Sequence, residues 1–150
     1  MLAASASILI PAPVDDVFAF FDDLDNVLEF NPLAERITSI ERLPDGRLRC
    51  DVQMRAGNGQ EFTVRYEQTE RQPPIRIVTK AHGPSWTAVN ERRFVQEGSG
   101  TRLTVRTTVQ YRRRFLGTLV AWLRGDLTRT QLELDAVLMA QRERITARHP

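Results

Sequence analysis

Apolar residues along this chain change their spacing twice, from helical to alternating and back to helical. Ala3–Ile10 is short and β-compatible and ends at Pro11-Ala12-Pro13. Val14, Val17, Phe18 and Phe21 then follow the i, i+3, i+4, i+7 spacing of an amphipathic helix. A proline at its first position suits the start, because the missing N–H would be unpaired there anyway. Asp15 and Asp16 fall in the first turn, where the helix dipole favours acids. Asp25-Asn26 predicts the cap of a second short helix over Val27–Phe30, closed by Asn31-Pro32.

From Ala34 the period becomes two. Arg36–Leu43 reads as a strand, ended by the turn signal Pro44-Asp45-Gly46. Leu48, Cys50, Val52 and Met54 alternate with polar residues, as in a half-buried antiparallel strand. Phe62, Val64 and Tyr66 repeat the pattern after Gly57-Asn58-Gly59, until Pro73-Pro74 breaks it. Ile75–Ala81 and Trp86–Val95 are further strands, and Leu103, Val105, Thr107, Val109 and Tyr111 share one face of the last. Six consecutive strands joined by tight turns predict a meander.

After Arg112-Arg113-Arg114 the period returns to 3.6. Leu116, Val120, Leu123, Leu127, Leu134, Leu138 and Ile145 fall on one stripe, interrupted at Thr130, Gln131 and Gln141. A helix over most of Leu116–Ile145 is predicted. The order strand, two short helices, six strands, long helix is an α+β arrangement with helices on one face of an antiparallel sheet. The strand before the helices can pair with the far edge of the meander and curl it. A long helix across a curved sheet need not fill the concavity, and cavities bind ligands.

Composition narrows this picture. With 150 residues, the chain supports one domain, 1–150, and hydrophobic residues at 41% with charged residues at 27% exclude disorder. The net charge is +2, yet residues 1–35 hold seven acids and no Lys or Arg. A polyanion would meet that acidic face, so the pI near 9.2 does not argue for nucleic acid. The lone Cys50 allows no internal disulfide, and His82 and His149 form no metal cluster with it. No metal or cofactor is expected. No stretch reaches the ~20 apolar residues of a membrane span. Met1–Pro11 lacks the basic start of a signal peptide, so a cytoplasmic protein, monomer or homodimer, is expected.

Two segments carry a family resemblance. Ile8-Leu9-Ile10-Pro11-Ala12-Pro13-Val14-Asp15-Asp16-Val17-Phe18, with Asp23 to Pro32 behind it, resembles the opening of the START-like (Bet v 1-like) superfamily. Gly98-Ser99-Gly100-Thr101-Arg102-Leu103-Thr104-Val105 resembles its Gly-x-Gly-Thr-Arg hairpin. The branch it looks most like is the polyketide cyclase/dehydrase and lipid-transport-like group. The resemblance implies the helix-grip fold, a seven-stranded antiparallel sheet wrapped around a C-terminal helix with a ligand cavity between them. It implies no particular catalytic residue.

Candidate chemistry follows from strand parity. Trp86, Ala88, Asn90, Arg92 and Phe94 share a face, so an inward Phe94 brings Asn90 and Arg92 inward too. Each would then need a partner, because an unpaired buried polar group costs about 1–3 kcal/mol. A ligand carbonyl or acid could supply it. The simpler expectation is a β-bulge that turns both to solvent. Tyr66 and Thr107 lie on apolar faces and read as core hydroxyls bonded to backbone or as ligand contacts. His82 at a strand end reads as a surface histidine, Cys50 as a small buried hydrophobe, and Asp22, Asp23 and Asp25 as solvated helix ends. Arg112–Arg114 reads as a solvated hinge, or as a site for an anionic headgroup or an acidic partner face.

The reading that follows is a non-catalytic protein that holds a small hydrophobic molecule (lipid, quinone or polyketide-like) between the sheet and the C-terminal helix. Its expected walls are Val52, Met54, Phe62, Val64, Tyr66, Val105, Thr107, Val120, Leu123 and Leu127, with selectivity from Trp86, Asn90 and Arg92. The alternatives are an aromatic polyketide cyclase/dehydratase, with Arg92, Tyr66 or His82 moving protons, and a protein-interaction module such as a chaperone activator, with a filled core.

Overall fold

The alternation at Leu48, Cys50, Val52 and Met54 becomes a strand in which every one of these side chains is buried, while their neighbours reach solvent. The same logic builds the whole sheet. A computed structural model of the protein describes residues 2–111, 135 and 137–148. Its elements run β1 (Leu2–Ile10), α1 (Val14–Asp22), α2 (Leu24–Leu28), β2 (Ala34–Arg42), β3 (Leu48–Arg55), β4 (Glu61–Gln72), β5 (Arg76–His82), β6 (Trp86–Glu97) and β7 (Gly100–Tyr111). Residues 137–148 are helical. The remainder of the predicted Leu116–Ile145 helix, with Arg112–Arg114, Thr130 and Gln131, lies outside the described residues.

The sheet is seven-stranded and antiparallel, in the order β1-β7-β6-β5-β4-β3-β2. β2 to β7 form the predicted meander, and β1 closes the far side by pairing with β7 from Leu2↔Val109 to Ile10↔Thr101. Gly100 permits that junction, since a Cβ there would sit 2.8 Å from the Ile10 carbonyl oxygen. The buried Thr101 Oγ1 donates to the Ala12 carbonyl at 2.8 Å, tying β7 to the turn after β1.

Two helix starts differ from the sequence expectation. Pro13 is the cap of α1 and not its first helical residue, and the free N–H of Val14 donates to Gln96 Oε1 at 3.0 Å. The second helix begins at Leu24, with Asp23 as its cap accepting from the Asp25 N–H at 3.0 Å. Asp23 outcompetes Asp25-Asn26 because α1 and α2 abut, leaving it between them in extended conformation.

The core has two parts. Val17, Phe18, Phe20 and Phe21 of α1 pack on Ile77, Phe94, Leu103 and Val105 of the sheet, together with Leu138 and Ile145 of the terminal helix. Phe94 meets Phe18 edge-on with centroids 5.3 Å apart and Phe21 at 5.9 Å. The second part surrounds Cys50, Val52 and Val64, closed by Leu24. Cys50 is buried as expected, and burial pushes its thiol up to about 11, far from a reactive thiolate at neutral pH.

Asp22 is not a solvated helix end. Its carboxylate accepts from Arg71 Nε at 3.0 Å and Arg71 Nη2 at 2.9 Å, and from Gln68 Nε2 at 3.3 Å. Gln68 is itself buried and accepts from the Leu48 N–H at 2.8 Å, beside the bulge between Gln68 and Glu70. An acid at a helix C-terminus is disfavoured by the dipole; the arginine fork offsets this and pins α1 to β4.

Candidate functional site

Three inward-facing rows of the sheet meet under α1 and α2. In strand order β4-β5-β6-β7 the first row is Tyr66, Ala81, Ala88 and Val109. Thr79, Asn90 and Thr107 form the next, and Ile77, Arg92 and Val105 the third. Ala81 and Ala88 face each other directly in the ladder, so the floor is low at its centre. The roof above it, Phe21, Leu24, Val27 and Leu28, does not descend to fill the space. A cavity of about 220 Å³ remains, and it is more enclosed than the hollow beside Asp25, Glu29 and Glu35 at β2.

Asn90 and Arg92 line this cavity. The expected β-bulge is absent from β6: it pairs β5 from Arg76↔Arg93 to His82↔Thr87, and β7 from Trp86↔Tyr111 to Glu97↔Gly100, each without a register shift. Parity therefore carries inward from Phe94 to both residues. Asn90 Nδ2 donates to Thr107 Oγ1 at 2.8 Å, which makes Thr107 a partner of the site and not a backbone-bonded core hydroxyl. Asn90 Oδ1 and Arg92 Nε are buried and have no hydrogen-bond partner among the described residues.

The guanidinium carbon of Arg92 lies 5.3 Å from the centre of the Phe21 ring. Such a contact contributes about 0.5–2 kcal/mol. Burial lowers the Arg92 pKa to about 10, with the neighbouring Tyr66 pulling the other way, so the group stays protonated at neutral pH. Burial likewise pushes the Tyr66 phenol up to about 12, against smaller opposing effects of Asn31 and Arg92. Both groups are hydrogen-bond donors at neutral pH.

Trp86 forms the end of the floor. Its indole is seated against Gly83, where a Cβ would come within 2.3 Å of Trp86 Cε2. The Gly83 N–H donates to the Trp86 carbonyl at 3.0 Å, which fixes the turn. Gly83→Ala is expected to push the ring from this seat. It should cost about 1–3 kcal/mol, as overpacking does, read by chemical denaturation, and shift the Trp86 indole N–H resonance.

Of the residues expected as walls, Tyr66, Trp86, Asn90, Arg92 and Thr107 come together here. Val52, Met54 and Val64 do not line this cavity; they are packed inside the second core cluster, with Phe62 against it. Val105 belongs to the first cluster, beneath α1. These strand positions are inward as expected, but the packed core covers them. Val120, Leu123 and Leu127 lie outside the described residues. His82 follows the inward Ala81, so it projects from the opposite face and does not line the cavity. The roof residues, Asn31, Gln68, Thr79 and the alanine pair were missed as site residues. The alanines carried a signal, being small residues at inward positions of two adjacent strands.

The sequence matches the model of the family "Polyketide cyclase / dehydrase and lipid transport" over residues 1–138. The chain belongs to this family. No curated protein matches it. Among solved structures, the polyketide cyclase/dehydrase and lipid transport fold of this chain is similar to TTHA0849 from Thermus thermophilus, at 21% identity and TM-score 0.75 over 99% of both chains. A START superfamily protein from Mycobacterium smegmatis is similar at 21% identity and TM-score 0.68, over 95% of this chain and 98% of that one. The di-domain ARO/CYC BexL from the BE-7585A biosynthetic pathway matches at 21% identity and TM-score 0.71, over 95% of this chain but 49% of its own length. At these identities the likeness is one of fold. Among the described residues no helix is long and apolar enough to cross a membrane.

Proposed function

We propose that the protein binds a small, largely apolar molecule in the cavity between the sheet floor at Ala81 and Ala88 and the roof of α1 and α2. The observation that carries this reading is a partly enclosed, mainly apolar space with a polar end whose buried atoms lack partners among the described residues. A cavity walled by apolar side chains with a few convergent polar groups is the usual form of a small-molecule site. The family to which the chain belongs includes lipid transport in its description, which supports the same reading.

Binding without catalysis is favoured over cyclisation or dehydration by the donor set. Among the described residues that line the cavity there is no Asp, Glu or His to accept a proton. Tyr66, pushed up to about 12, and Arg92, still charged, donate hydrogen bonds but do not act as bases at neutral pH. The open space itself disfavours an interaction module with a filled core. Native mass spectrometry of the purified full chain, followed by uptake of the two-ring fluorophore 1-naphthol, tests the proposal. A co-purifying small apolar molecule, or stoichiometric uptake of the probe, is the expected result. Protein that carries nothing and takes up no probe would overturn it.

A further inference from the structure

We infer that the molecule held in this cavity is a compact organic acid of one or two rings, whose carboxylate is received by Arg92. The inference rests on the binding reading above and adds the chemical class of the ligand. Three other arginines of the sheet are paired with carboxylates. Arg71, on the same inward side, receives the Asp22 carboxylate at 3.0 and 2.9 Å. Arg65 holds Asp51 at 2.9 and 3.3 Å, and Arg102 holds Glu97 at 3.0 and 3.2 Å. Arg92 sits between Ile77 and Val105 in the ladder, and its buried Nε has no hydrogen-bond partner among the described residues.

Taking a charge out of water without a counter-charge is costly, and the remedy is a paired and hydrogen-bonded anion. The Phe21 ring face stabilises the guanidinium only in part and leaves that N–H without an acceptor. A neutral carbonyl would accept a hydrogen bond but leave the charge uncompensated. A carboxylate does both, because its two oxygens match the arginine fork. A cationic ligand is excluded by the same charge. Asn90 lies two residues away on the same face. Its Nδ2 is the atom that can meet the ligand's acid end, either through the second N–H beside the one given to Thr107 or with the amide turned so that Thr107 donates to Oδ1.

Size comes from the volume. About 220 Å³ is below the ~300–1,000 Å³ of sites for drug-sized ligands. A compact body of one or two rings fits this space. The rings would lie on Ala81 and Ala88 beside Trp86 and under Leu24, at the end away from Arg92.

The test is calorimetric titration of the full chain at neutral pH with 2-naphthoate and with its neutral isostere 2-naphthamide. The acid is expected to bind more than about tenfold tighter than the amide, a difference of about 1.4 kcal/mol. Arg92→Leu should remove that preference, lowering the affinity for naphthoate and leaving that for the amide nearly unchanged. Arg92→Lys, which keeps the charge, should retain most of the preference and serves if the leucine variant does not fold. Equal affinities for acid and amide in the unaltered protein, or a preference that survives Arg92→Leu, would overturn the inference and leave the binding reading standing. Failure of both probes to bind would overturn the inference, and protein that in addition carries no small molecule would overturn the binding reading too.

Discussion

Replacing Phe94 by alanine is expected to destabilise the protein by about 3–5 kcal/mol, the range for losing a buried aromatic ring. Phe94 is 3% exposed and is the residue through which the sheet holds α1. Its ring contacts Phe18 edge-on at 5.3 Å and Phe21 at 5.9 Å, so its removal strips both of that contact and opens a void between layers. The loss reaches the cavity as well, because Phe21 is both roof and the ring beneath which Arg92 lies. Equilibrium denaturation should show the lower midpoint, and probe affinity should fall in the same variant. Val95→Ala is the comparison: that side chain is 59% exposed on the opposite face, and its loss should cost no more than about 0.5 kcal/mol.

Ala88→Phe is expected to abolish binding of both naphthalene probes, with affinity reduced at least about tenfold, or 1.4 kcal/mol. Ala88 faces Ala81 across the β5–β6 ladder, and these two methyl groups are the reason the floor is low. A phenyl ring built upward from either would occupy the volume that a ligand needs. Some strain is inevitable where the ring meets Leu24 and Leu28, and overpacking of this kind costs about 1–3 kcal/mol of stability. Val89→Phe, one residue along on the exposed face, adds the same ring without entering the cavity and should leave binding intact. Titration of the two variants side by side separates occlusion from a general effect of added bulk.

These expectations depend on strand parity, and parity was the most legible property of the sequence. Alternation at Leu48–Met54 and at Leu103–Val109 predicted which side chains turn inward, and the order of periods predicted the seven-stranded sheet. Parity also implied that Asn90 and Arg92 follow Phe94 inward. The unbroken β6 ladders bear that out, against the bulge that would have spared two polar groups from burial. The cavity's position was less legible. Periodicity tells which face of a strand is inward but not which inward residues a helix will cover, so Val52, Met54 and Val64 went to the core while the alanines went to the site. The roof depends on where α1 ends and α2 begins, and capping by Asp23 moved that point forward to Leu24. Asp22 was unreadable for a further reason: its partner Arg71 is 49 residues away, brought near by the bulge in β4.

If the proposed function holds, a bound ligand lies against the floor formed by Ala81 and Ala88. Nuclear Overhauser spectroscopy on full-length protein with labelled alanine methyl groups, saturated with 2-naphthoate, tests it most directly. Cross-peaks from the ring protons to the methyl groups of Ala81 and Ala88, absent in Ala88→Phe, are the predicted result. Saturating naphthoate that gives cross-peaks only to methyl groups outside the cavity, such as that of Ala3 on the opposite face of β1, would contradict it.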